Sequence, residues 1–366
     1  MRYQPLSHHG TLDLRARIVM RHLTAALAIL VLSNGARPAD PSAAAPNAPA
    51  AIGRGLKFLV ADSLAWKKQH NCVSCHHAAL VIWALREAKG RGHAVDEPVL
   101  AELTKWVAES GDGKTGVPRP AGVPKALNAK AVWFALALGA APGPDAVSRE
   151  GMKRLLGTVR SDQTESGSWL AWPETRPPIF GNSDESMTAL ATLAVMPAAA
   201  AGDDSAKSVR DKGVRWLAET KTDDDPQSIA MRLVLWRRLG RPAAECEPLV
   251  RHIQKRQNGD GGWSQAKDMP SDAWATGQAL YALVQGGNKL NESVIARAQA
   301  FLVRTQRADG SWPMTSRPVK PGGAGSKSLI PITCAGTAWA TLGLVRSSPG
   351  APKGSGPTAG CSTTGG

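Results

Sequence analysis

The 366-residue sequence holds only four Phe and two Tyr, and its β-branched residues are thinly spread, so strand formers are in short supply. A sheet-built fold is disfavoured on that account. The apolar fraction of 43% comes instead from runs of Ala, Leu and Val, a composition that favours helix. Lacking too is any Lys/Arg block interleaved with aromatics; the net charge of +14 is dispersed along the chain. That pattern excludes a nucleic-acid groove. Cysteine is scarce, at five residues, and two of the five sit in one short string. Trp is the exception among the aromatics. Twelve residues of so large and stiff a side chain point to a recurring structural role.

Near the N-terminus, Arg15, Arg17 and Arg21 precede the apolar run Leu23 to Leu32. At about ten residues this run is shorter than the roughly 20 a spanning helix needs, so residues 1–35 read as a signal peptide. Ser33 and Gly35 provide a small-residue cleavage site, and Met20 offers an alternative start. The Ala/Pro-rich residues 36–51 read as a linker. Export to the periplasm or the cell exterior follows as the expectation, where a basic surface would meet anionic membrane or cell wall.

Three segments share one pattern: Gln163 to Trp169, Gln257 to Trp263 and Gln306 to Trp312. Their Trp residues lie 94 and 49 residues apart, so one degenerate repeat belongs between the first two. Residues 206–240 supply it, with a polar break at Thr222 to Pro226. Reading outward gives six helix pairs over residues 52–346, at approximately 52–88, 98–140, 146–196, 207–240, 245–287 and 293–346. The second helix of each pair is apolar or small all round, as a helix with neighbours on both sides must be. In the motif, Gly can take positive φ, the Trp can fold over helix ends, and the Gln amide can tie down a neighbouring helix. The tail, residues 347–366, is Gly/Ser/Pro-rich and reads as disordered.

These Q-x-x-D-G-G/S-W segments resemble the QW repeats of squalene-hopene cyclases and related triterpene cyclases. The resemblance implies an all-α fold, a single (α/α)6 toroid of the terpenoid cyclase and prenyltransferase β-subunit superfamily. It also implies an apolar small molecule, an isoprenoid or another, as ligand or substrate. The D-x-D-D acid motif of class II cyclases is missing from the sequence. With three Trp committed to the repeats, few aromatics remain to line a cavity for carbocations. The acidic helix starts Asp184, Asp225 and Asp272 are the candidate catalytic carboxylates, and each can equally serve as a helix cap.

The densest chemical signal is His70-Asn71-Cys72-Val73-Ser74-Cys75-His76-His77. Cys72, Cys75 and His76 form the C-x-x-C-H signature for covalent haem c. His70, Cys72, Cys75, His76 and His77 could instead hold zinc, and the two thiols could form a plain disulfide. Cys334 reads as a small buried residue, and Cys246 and Cys361 have no motif partner. Three classes of function therefore stand: a squalene-cyclase-like enzyme, a haem- or metal-binding redox protein, and a non-catalytic binding scaffold.

Overall fold

A computed structural model describes residues 47–70, 73–109, 129–140, 146–171, 183–285, 292–314 and 329–350. All belong to one unit within Ala45–Gly366. The described residues form twelve α-helices: α1 Ala48–Gln69, α2 Leu80–Gly90, α3 Glu97–Glu109, α4 Ala129–Gly139, α5 Ala146–Ser161, α6 Asp184–Ala200, α7 Asp204–Glu219, α8 Pro226–Arg238, α9 Ala243–Lys255, α10 Ala273–Val284, α11 Glu292–Thr305 and α12 Leu329–Ser347. A π-helical turn, Cys75–Ala79, leads into α2. β1 Trp263–Ser264 and β2 Ser271–Asp272 make a two-residue antiparallel ladder in which Trp263 faces Asp272. No helix among the described residues is long and apolar enough to cross a membrane.

The even-numbered helices close a ring. α2 packs on α4, α4 on α6, α6 on α8, α8 on α10, α10 on α12, and α12 returns to α2. Their burial follows: every residue from Leu80 to Ala88 of α2 and from Ala273 to Leu283 of α10 is buried. The odd-numbered helices lie outside and bury one stripe each, as in α1 with Ile52, Leu56, Leu59 and Ser63. The predicted all-α toroid of six helix pairs is the observed architecture.

The sequence reading placed a linker over residues 36–51, but α1 begins at Ala48. Its Ala/Pro content disguised a helix start: Asn47 Oδ1 accepts the Ala50 amide at 3.1 Å, and Pro49 occupies the first turn, where no amide hydrogen is needed. The tail expected from residue 347 begins later, since Ser347 ends α12 and Ser348 is buried. Residues 1–35, expected to be a signal peptide, the rest of the expected linker to residue 46 and residues 351–366 lie outside the described residues.

The three repeats use one set of bonds. Trp169, Trp263 and Trp312 send their indole N–H to the carbonyls of Val159, Ile253 and Leu302 at 2.7, 2.7 and 2.6 Å. Their backbone amides donate to the hydroxyls of Thr188, Thr276 and Thr337 on the following inner helix. Gln163, Gln257 and Gln306 each divide their amide hydrogens between two carbonyls. One is Gly167, Gly261 or Gly310 within the turn; the other is Val209, Val294 or Ala51 on the next outer helix. The same three glycines hold φ of +99°, +91° and +89°, and a Cβ there would lie 2.4–2.5 Å from a carbonyl oxygen of that neighbouring helix. Only Gly permits both the conformation and the approach. Gln306 is the special case, because the helix it reaches is α1, across the seam between chain ends.

The middle repeat has neither Gln nor Trp at these positions and is tied by charge instead. Arg256 donates to the Asp224 carbonyl at 2.7 Å, and Arg232 to the Thr220 carbonyl at 3.2 Å. Replacing Trp263 by Ala removes a side chain that is 3% exposed and should cost about 3–5 kcal/mol in urea unfolding followed by circular dichroism. Gln257→Ala leaves the Gly261 and Val294 carbonyls without their side-chain donor, for a smaller loss of about 1–3 kcal/mol.

Candidate functional site

Where the inner helices end, a buried polar floor forms around Glu87 of α2. Its carboxylate accepts Tyr281 Oη at 2.8 Å and Trp83 Nε1 at 3.3 Å, and pairs with Arg346 at 2.5 Å. Arg238 in turn donates to Tyr281 Oη at 2.8 Å. Burial first, then the neighbouring Glu87 charge, pushes the Tyr281 phenol up to about 12 although Arg238 and Arg346 oppose it, so it stays a donor at neutral pH. Four C-terminal helix ends, from α2, α8, α10 and α12, are thereby joined.

Within the ring above that floor lies a group of aromatics. Trp83 meets Trp133, Tyr281 and Trp339 at centroid distances of 6.4, 5.9 and 5.3 Å, and Trp339 meets Trp274 at 6.0 Å. Most of these contacts are edge-to-face, the geometry favoured by the ring quadrupole. All five side chains are fully buried. The expectation that few aromatics remain for the interior is corrected here: the ring interior is built of Trp, and the scarcity of Phe and Tyr did not predict it.

At the opposite, N-terminal ends of the inner helices stand the predicted carboxylates. Asp184 Oδ1 accepts the Ala171 amide at 2.7 Å. Asp225 caps α8 through the Ser228 amide at 2.9 Å, and Asp272 caps α10 through the Ala275 amide at 2.9 Å while also accepting from Gln265. Ser183 and Ser228 hydroxyls meet at 2.9 Å, joining the starts of α6 and α8. Beside them Glu185, which the sequence reading passed over for Asp184, is 3% exposed and pairs with Arg232 Nε at 2.6 Å. Burial pushes the Glu185 carboxyl above its ordinary range, against the pull of the Asp223 amide and the Arg232 guanidinium. With the Asp223 amide donating to one oxygen and the Arg232 guanidinium 2.6 Å from the other, it is placed as an ion pair rather than as an acid that gives up a proton.

The His-rich string enters the same mouth at the start of α2. His70 and His77 both stack on Trp66, at 3.8 and 4.1 Å with planes 9° apart. Two rings so close to one indole cannot share a face, so Trp66 lies between them. His76 packs against His77 at 4.5 Å; burial, reinforced by His77 and opposed by Asp62, drops its pKa to about 3, so its ring is neutral. Ser74 Oγ accepts the His76 and His77 amides and lies 3.4 Å from His77 Nδ1. Cys75 belongs to the π-helical turn by its backbone, and Cys72 lies outside the described residues.

Two further residues complete the mouth: Asp62, which the sequence motifs do not include, and Cys334, which is buried as its sequence context predicts. Asp62 of α1 pairs with His77 Nε2 at 3.2 Å, and Cys334 of α12 lies 3.3 Å from the His76 carbonyl, its thiol also facing Asp62. Burial pushes the Cys334 thiol well up, helped by the Asp62 charge. Burial also raises Asp62, but hydrogen bonds from His77 and Cys334 and the proximity of the imidazoles win and hold it low. A signal was available: Asp62, Trp66 and His70 are spaced by four and share one face of α1.

Comparison with known proteins identifies the frame. The squalene-hopene cyclase C-terminal domain family matches residues 238–355. The chain is terpenoid cyclase-like in its fold and in its C-terminal repeats. Drimenyl diphosphate synthase from Streptomyces showdoensis is 39% identical over 80 residues, a match that spans 22% of this chain and 15% of that enzyme. A protein from Actinoplanes superposes with a TM-score of 0.53 at 16% identity, over 82% of this chain and 99% of its own. The type II terpene cyclase MstE from Scytonema, in complex with geranylgeranyl dihydroxybenzoate, gives 0.51 at 14% identity over 82% and 98%. A glycosidase variant reaches 0.52 at 11% identity over 81% and 96%, so this terpenoid cyclase-like toroid shares its shape with enzymes of other chemistry. Because Glu185 and Arg232 are buried together, Arg232→Met should strand the carboxylate and cost about 3–5 kcal/mol, measured by denaturant unfolding; Glu185→Gln should cost less.

Proposed function

We propose that this terpenoid cyclase-like protein binds an apolar molecule of isoprenoid type within the Trp-lined ring, and that it does not start an acid-initiated cyclisation. The observation that carries the reading is the aromatic group Trp83, Trp133, Trp274, Trp339 and Tyr281 inside a toroid whose C-terminal third matches squalene-hopene cyclase. Indole faces suit an apolar chain with π bonds and steady any positive charge that develops on it. The missing D-x-D-D motif and the helix-capping bonds of Asp225 and Asp272 support the second half. A proton donor to carbon must be a neutral acid among apolar walls, and these carboxylates serve backbone amides instead. Trp83, Trp133, Trp274 and Trp339 are buried against one another, so a ligand among them must part these rings, which makes indole emission the natural reporter. If the protein is catalytic, its chemistry is of the terpene cyclase kind on a molecule activated by other means. Export of the chain, with residues 1–35 removed, completes the proposal.

Titrating the purified protein with squalene and with geranylgeraniol in detergent should give a saturable change in Trp emission that Trp339→Leu reduces at least tenfold in affinity. Gas chromatography of the same mixtures should show no cyclised product. An emission unchanged up to ligand solubility would overturn the binding, and cyclised hydrocarbon would overturn the mechanism.

A further inference from the structure

At the mouth, three side chains of different donor chemistry arrive from three separate elements: Asp62 from the outer helix α1, His77 from the π-helical turn, and Cys334 from the inner helix α12. One ligand atom from each, the Asp62 carboxylate oxygen, an imidazole nitrogen and the thiol sulfur, lies within 4.8 Å of the other two. In a tetrahedral zinc site, with metal–ligand bonds of about 2.0–2.3 Å, ligand atoms stand roughly 3.3–3.7 Å apart. Side-chain rotation of an ångström or so reaches that spacing from the observed one.

We propose that Asp62, His77 and Cys334 form a binding site for a divalent transition metal of zinc type, with a fourth position left open to an exogenous ligand. The donor set is one carboxylate, one imidazole and one thiolate, a mixture that suits Zn²⁺ or Co²⁺ and suits Mg²⁺ or Ca²⁺ poorly. Burial differs across it: the side chains of His77 and Asp62 are 4% and 32% exposed, and Cys334 is 1% exposed. The open side therefore lies by Asp62, the arrangement of three protein ligands plus one exchangeable position.

Proton and charge balance favour the same reading. Binding M²⁺ displaces the thiol proton of Cys334 to solvent and needs the neutral His77 tautomer with its hydrogen on Nδ1, which then faces the Ser74 hydroxyl. One dication against a carboxylate and a thiolate leaves the buried site neutral overall. Outer support is in place as well, since the His77 ring rests on Trp66 and its carbonyl accepts the Ser63 hydroxyl. Asp62 and Cys334 are outside the donor string His70, Cys72, Cys75, His76 and His77 read from the sequence, and only His77 is shared.

The test uses the full chain, stripped with chelator and titrated with Co²⁺, with folding of each variant followed by circular dichroism. The expected result is one Co²⁺ per chain, a near-ultraviolet sulfur-to-cobalt band, and displacement by Zn²⁺. The band should persist in a Cys72→Ser/Cys75→Ser double variant and vanish in Cys334→Ala, while Asp62→Asn and His77→Gln weaken affinity at least tenfold. A band lost in the double variant, a band surviving Cys334→Ala, or no cobalt bound at all overturns the proposal. Should Cys334→Ala lose its helical signal, the part-exposed Asp62→Asn variant decides, and unchanged affinity there overturns it. None of these outcomes depends on the apolar-ligand reading, which the Trp emission titration addresses separately.

Discussion

A single repeated bond set determines whether this chain is a ring: a Gln amide shared between its own turn and the next outer helix, with an indole locked beneath it. Each tie gives a turn carbonyl and a carbonyl of the next outer helix one shared side-chain donor, and so joins neighbours along the ring. The third tie is different in consequence because Gln306 reaches Ala51, so the last repeat is bonded to the first helix. Hydrophobic burial alone would stack helix pairs into an open superhelix as readily as into a toroid. Closure needs contacts that recognise a specific neighbour, and the seam between α11, α12 and α1 supplies them.

Closure also creates the functional geometry. Once the inner helices converge, their N-termini meet at one end and their C-termini at the other, and the two ends acquire opposite characters. At the C-terminal end, Glu87, Tyr281, Arg238 and Arg346 satisfy one another and seal the base. At the N-terminal end, carboxylates, imidazoles and a thiol gather from helices far apart in sequence; His77 and Cys334 are brought together only because α12 packs back onto α2. Between the ends, Trp83, Trp133, Trp274 and Trp339 interlock. The mouth is therefore a product of topology, and a change that opens the seam would scatter its donors without touching any of them.

Much of this was legible in the sequence because the tie has a fixed local spacing. Gln and Trp six residues apart, with Gly between them, mark three of the turns, and the interval between them gives the number of helix pairs. The capping roles of Asp225 and Asp272 follow from their position ahead of apolar runs in the same way. What could not be read is whatever depends on the closed ring. Cys334 reads as a small buried residue at an inner-helix start, and only the closed ring sets its distance to His77 and Asp62. Trp83, Trp133, Trp274 and Trp339 sit singly among Ala and Leu, so composition could not tell an inward indole from an outward one. Asp62 lies outside the Cys/His string, and only its spacing of four from Trp66 on α1 ties it to that string.

Native-state amide hydrogen exchange along α1 and α12 examines closure most directly, since it reports the stability of each segment in the intact protein. If the ring is closed, the slowest amides around Ile52 to Leu59 and around Ala338 to Leu344 should exchange only through global unfolding, with one shared opening free energy. Exchange of α1 through a separate, much cheaper opening while α4 to α10 stay protected would show an open seam and contradict the account.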